Sequence, residues 1–207
     1  MKKGLFIAVY GVNNIGKSTH CRILCERLRR AGHEVVLLKF PIYDLEPTGL
    51  QLNNILRGPA HTADASLASN LPRVQEISEE DLQTLFTQNR RDFEPQLRKY
   101  LEEGKVVVAE DYTGTGVAWG MAKGMSVEFM EKLNEGLLKE DLSLLITGNR
   151  DARATEKHHI HEQNQDLLAS VSKILVQLGE RYGWQVIELQ KDIPDTADLI
   201  WRAVQTK

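Results

Sequence analysis

A six-residue apolar run, Leu5 to Tyr10, leads directly into the nine residues GVNNIGKST, Gly11 to Thr19. The string satisfies G-x-x-x-x-G-K-[ST], with Gly11, Gly16, Lys17 and Ser18 at the specified places. Few features constrain a fold so tightly. The run before it must be a buried strand, the string must wrap an anion, and a helix must begin where it ends. Glycines let backbone N–H groups face phosphate without Cβ obstruction. Asn13, Asn14, Ile15 and Thr19 complete the loop, and Lys17 supplies a point charge for the β- and γ-phosphates. The Ser18 hydroxyl is the expected ligand for Mg²⁺. Average residue usage produces such a string by accident in about one chain in a hundred of this size. Here the required strand and helix patterns also flank it, and nucleoside triphosphate binding follows.

The rest of the chain repeats the strand-then-helix alternation. Val35 to Phe40, Val106 to Ala109, Leu142 to Thr147 and Gln185 to Leu189 are short apolar runs without clean polar alternation, as expected for strands buried on both faces. Helical patterns lie between them. One runs from Lys17 to Ala31 and ends at Gly32; another runs from Ser78 to Glu103, with a capping-box-like start and a stop at Gly104. Ser126 to Lys139, Glu162 to Tyr182 and Pro194 to Val204 complete the set. The pattern predicts a three-layer α/β fold of the P-loop NTPase type, with a five-stranded parallel sheet flanked by helices. Gly58 to Gln75 reads as a surface excursion, and Thr147 to His161 is charged and lacks apolar periodicity. With 207 residues and no internal repeat, the expectation is a single domain spanning 1–207.

Composition excludes several classes. Net charge is −3, from 26 Lys+Arg against 29 Asp+Glu, so neither a nucleic-acid partner nor a membrane surface is expected. No apolar stretch approaches the roughly 18–20 residues of a span. The two cysteines, Cys21 and Cys25, stand one helical turn apart, a poor disulfide spacing and too few ligands for a metal. They read as helix core in a reduced, cytoplasmic protein.

The absence of an N-K-x-D motif argues against a GTPase, and the length suits a nucleoside monophosphate kinase. Along most of its length the sequence resembles the thymidylate kinase family. The matching stretches are GVNNIGKST, AGHEVVLLKFP, LFTQNRRDFEPQLRKYLEEGKVVVAEDYTGTGVAWGMAKG and LGERYGWQVIEL. The resemblance implies transfer of phosphate from ATP to a deoxynucleoside monophosphate, most simply dTMP to dTDP, with Mg²⁺ and in a homodimer. Phe86 would stack on the acceptor's pyrimidine and Arg90 would donate to a base carbonyl. Asn13 would touch the sugar hydroxyl, Lys39 the acceptor phosphate, and Tyr112 and Trp119 would line the sugar pocket. Residues 147–161 would form a lid over ATP.

The departures from the family pattern concern charge. Relatives carry D-R-Y where this chain reads Glu110-Asp111-Tyr112. Glu110 can take the carboxylate role beside Mg²⁺, but Asp111 stands where an arginine would face the acceptor phosphate. Asp111 is expected to repel that phosphate unless it binds metal or turns away. Arg150 and Arg153 on the lid, with Lys157, and Arg91 beside the acceptor site are the candidate replacements for the lost charge. A nucleoside kinase taking an acceptor without phosphate, and a nucleotide-binding protein with little turnover, are the competing readings.

Overall fold

The computed structural model describes residues 4–57, 77–148 and 165–206. Its core is one five-stranded sheet, all parallel, in the order β2-β3-β1-β4-β5. The strands are β1 (Leu5–Tyr10), β2 (Val35–Lys39), β3 (Val106–Glu110), β4 (Leu142–Thr147) and β5 (Gln185–Glu188). They match the expected runs to within two residues at each end. β1 is central, pairing with β3 from Leu5↔Val106 to Val9↔Glu110 and with β4 from Ile7↔Leu142 to Tyr10↔Leu145. The chain leaves β1 toward one side of the sheet and later crosses to the other. The carboxyl ends of β1 and β3 therefore open onto the crevice where ligands of such sheets bind.

Alternate residues of β1 define the layers. Phe6, Ala8 and Tyr10 pack into one cluster with Leu97, Val117, Met130 and Leu175. Ile7 and Val9 pack into another with Leu24, Cys25, Ile200 and Val204. The first face is covered by α3 (Glu79–Glu102), α4 (Thr113–Ala122), α5 (Val127–Leu133) and α6 (Gln165–Tyr182). The second is covered by α1 (Lys17–Arg30) and α7 (Ile193–Gln205). A smaller cluster joins α2 (Thr48–Arg57) to the start of α3 through Leu52, Ile55, Leu56 and Leu82. No helix among the described residues is long and apolar enough to cross a membrane.

Local chemistry explains most boundaries. The Ser78 hydroxyl accepts from the Asp81 N–H at 3.0 Å, capping α3 as its sequence implies. Two helices were not expected. α2 carries the helical spacing Leu52-Ile55-Leu56, whereas α4, with three glycines in its ten residues, carries no apolar periodicity. α5 is shorter than the Ser126–Lys139 pattern. It stops at Leu133, where Arg91 donates to the carbonyls of Leu133 and Glu135, and Gly136 takes a positive φ of 82°. Residues 58–76 and 149–164, which include the expected excursion and most of the lid, lie outside the described residues.

Candidate active site

The phosphate loop follows β1 as its sequence requires. Gly16 adopts φ +103° and caps α1, whose N-terminus faces the crevice, while Asn14 sits at φ +61°. At Gly11 (φ +151°) a Cβ would lie 2.9 Å from the Ile146 carbonyl oxygen, so only glycine fits. Lys17 is buried. Its Nζ donates to the carbonyls of Gly11 (2.8 Å) and Val12 (3.1 Å) and pairs with Asp111 Oδ1 at 3.6 Å.

β3 delivers the acids. Glu110 is buried at its end; Oε1 accepts from Ser18 Oγ at 2.7 Å and pairs with Lys39 Nζ at 3.0 Å. A hydroxyl and a carboxylate this close form the hard-oxygen set that Mg²⁺ accepts together with phosphate oxygens. The two residues therefore fit the metal expected of them. No group of three or more His, Cys, Asp or Glu among the described residues offers a cage of its own.

Asp111 faces the site and carries its own partners. It neither turns away from the site nor stands alone. Its backbone takes φ +63°, Thr115 Oγ1 donates to Oδ1 at 2.7 Å, and Lys17 faces it. Burial raises its carboxyl above the ordinary range, against the opposing effects of the Lys17 charge and the Thr115 hydrogen bond.

One cavity of about 440 Å³ joins these groups to α3. Asn13, Asn14, Gly16, Lys17, Ser18, Thr19, Lys39, Glu110 and Asp111 line one arm, and Phe86, Arg90, Tyr112 and Trp119 line the other. Two expected loop residues do not reach it. Gly11 lies beneath, against the Ile146 backbone, and the Ile15 side chain is core, packed with Leu24 and Val9. Ile15 can contribute only backbone to a phosphate. Arg91, held on the α5 carbonyls, also lies outside the cavity lining. Arg150 and Arg153 lie outside the described residues.

Arg90 is 5% exposed and donates to Thr87 Oγ1 (3.3 Å) and Asn134 Oδ1 (3.1 Å). Burial lowers its pKa to about 10, which leaves it cationic at neutral pH. A Cβ on Gly116 would lie 2.5 Å from the Arg90 Nη2, so a larger residue there would push the guanidinium from its seat. The Tyr112 ring packs edge-on to Phe6 at 5.1 Å and tilted on Phe40 at 5.0 Å; it backs the pocket wall rather than projecting from it. Sequence reasoning missed Tyr43, Arg57, Glu79 and Gln83, which also line the cavity. Gln83 stands three residues before Phe86 and seven before Arg90, a helical spacing that was legible.

The parallel sheet, the phosphate loop at its switch point and the aromatic arm opposite define a P-loop nucleotide-binding protein with room for a second ligand. The thymidylate kinase family model matches residues 9–200, and the chain belongs to that family. The human thymidylate kinase is 30% identical over 146 residues, 70% of this chain and 61% of that protein. The zebrafish (Danio rerio) thymidylate kinase is 26% identical over 96% of this chain and 92% of its own. Among solved structures, the Candida albicans thymidylate kinase superposes with a TM-score of 0.79 at 21% identity, covering 99% of this chain and 92% of that one, a likeness of fold.

Proposed function

We propose that this chain transfers the γ-phosphoryl group of ATP to dTMP, giving dTDP. The observation that carries the reading is that the phosphate loop and Phe86 and Arg90 line one and the same cavity. In-line transfer needs both nucleotides in one enclosed space, and catalysis is then positioning plus charge neutralisation.

Lys17 is placed to exchange its partners Gly11, Val12 and Asp111 for phosphate oxygens. Ser18 and Glu110 would hold Mg²⁺, which when bound neutralises charge on the β- and γ-phosphates. Phe86 offers a face for the pyrimidine, and Arg90, already oriented by Thr87 and Asn134, offers a donor to a carbonyl of the base. Trp119 and the wall backed by Tyr112 bound the sugar, with Asn13 at the loop. Lys39 serves the phosphate region between them. Arg150 and Arg153 are assigned to the lid, 147–161, of one domain spanning 1–207. Family membership supports two further readings, a homodimer and a cytoplasmic location, which sedimentation and cell fractionation test.

A coupled assay with Mg-ATP against nucleosides and their monophosphates tests the reaction. We expect turnover with dTMP and its loss in Lys17→Ala, with the melting temperature retained. Turnover with thymidine alone would instead establish a nucleoside kinase, and undiminished turnover in Lys17→Ala would overturn the assignment of the loop.

A further inference from the structure

We propose that Arg57, the last residue of α2, is the cation that receives the acceptor's phosphate and so makes the site prefer a nucleotide to a nucleoside. The inference rests on the acceptor reading above and adds to it the residue that recognises charge.

The cavity's positive groups differ in what already holds them. Lys17 is paired with Asp111 at 3.6 Å and Lys39 with Glu110 at 3.0 Å. Arg90 is buried on Thr87 and Asn134 beside Phe86, at the end suited to a base. Arg57 lines the same cavity with its side chain exposed, and it makes no ion pair with a carboxylate among the described residues. Its guanidinium carbon sits 4.1 Å from the centre of the Tyr43 ring. Contact with the ring and a side-chain hydrogen bond to Tyr43 orient the guanidinium, whose five N–H donors outnumber what the phenol can take, so donors remain for a phosphate.

The platform is itself fixed. Asn89 of α3 accepts from the Ile42 N–H at 2.8 Å and donates to the Ile42 carbonyl at 3.0 Å and to Thr48 Oγ1 at 3.2 Å. Tyr43 is therefore anchored one residue from a reciprocal amide clamp. Burial raises its phenol pKa, while the charges of Arg57 and Lys39 pull the other way, so both cations act on the same ring. Phe86 packs against the α2–α3 cluster of Leu52, Ile55, Leu56 and Leu82, which ties the base platform to the helix that carries Arg57. A base stacked on Phe86 thus has Arg57 and Lys39 as the cations on the α2 and β2 sides of its cavity. Asp111 makes such a charge necessary, because a dianionic phosphate entering here meets a carboxylate at the end of β3.

Calorimetric titration of dTMP, thymidine and ATP into the wild type, Arg57→Ala, Arg57→Lys and Tyr43→Leu tests the proposal. We expect Arg57→Ala to weaken dTMP by roughly 10- to 100-fold, the scale of a charged hydrogen-bond pair, with thymidine and ATP nearly unchanged. Arg57→Lys should recover part of the dTMP affinity, and Tyr43→Leu should lose part of it. Equal losses for dTMP and thymidine, or unchanged dTMP affinity, would overturn it. A wild type that binds thymidine as tightly as dTMP removes the acceptor reading and this proposal together. A wild type that discriminates while Arg57→Ala still does so removes this proposal alone.

Discussion

Asp111 shows how one side chain can set both the charge of a site and the pH response of a fold. Its φ of +63° is a conformation aspartate tolerates better than most residues, and Thr115 and Lys17 hold its carboxylate. Burial nevertheless raises its pKa, so the folded chain binds that proton more tightly than the unfolded chain does. The linkage sign follows. As pH rises from the ordinary aspartate range through the raised value, ionisation of Asp111 removes stability. Asparagine matches the shape, mimics the protonated form and suits the same backbone. The melting temperature of Asp111→Asn relative to wild type should therefore climb across that window and level off above it. Thermal melts in a pH series would show this; a difference independent of pH would mean the carboxyl is not buried as described.

At the scale of elements, α4 is a helix built on glycines that tertiary contacts require. Gly114 meets the Trp184 ring, where a Cβ would lie 2.5 Å from the indole, and that indole is stacked on Tyr10 with centroids 4.3 Å apart. Gly116 meets the Arg90 guanidinium, also at 2.5 Å. Helix propensity alone would make alanine better at either place by about 0.5–1 kcal/mol. The neighbours reverse this in different ways. The rigid, packed indole cannot yield, so Gly114→Ala should lose about 1–3 kcal/mol of stability in denaturant titration. The arginine can swing into the cavity, so Gly116→Ala should keep its stability within about 1 kcal/mol and lose roughly tenfold in dTMP affinity. Identical behaviour of the two variants would contradict this division of roles.

The whole molecule is a sheet between two helical layers, and its cysteines report on one of them. Cys21 and Cys25 are free and lie on the buried face of α1, in the cluster of Ile7, Val9, Leu24 and Ile200. Burial raises both thiols, Cys25 to about 11, so little thiolate exists at neutral pH. A thiol reagent should leave both unmodified in the native protein, and labelling in denaturant should follow the loss of helix signal. Rapid native labelling would show that the α1 layer opens independently of the sheet.

Contiguous constraints make much of this chain legible in its sequence. The strand Leu5–Tyr10, the loop Gly11 to Thr19 and the start of α1 form one uninterrupted string; β3 and β4 are the largely buried apolar runs expected, whereas the edge strands β2 and β5 leave Leu37 and Val186 exposed instead of buried on both faces. Phe86 and Arg90 are singled out by the family resemblance, since the helix pattern alone suits a core aromatic and a solvated arginine equally well. The rest depended on contacts between distant segments. α4 has the composition of a turn, and it is helical because Trp184, Arg90 and Met130 occupy the space its missing side chains leave. Asp111 reads in the sequence as a charge that repels phosphate unless it binds metal or turns away, and only the fold sets Lys17 and Thr115 against it. Arg57 carries no local signal at all, since an arginine ending an amphipathic helix is ordinarily a solvated charge. The packing of α2 on α3 through Leu52 and Leu82, and the clamp of Asn89 on Ile42, place it in the cavity beside Tyr43. The sequence by itself determined the elements whose reasons are local, backbone geometry and hydrophobic period. Tertiary structure decided which charges face one another, because that depends on distances between segments far apart in the chain.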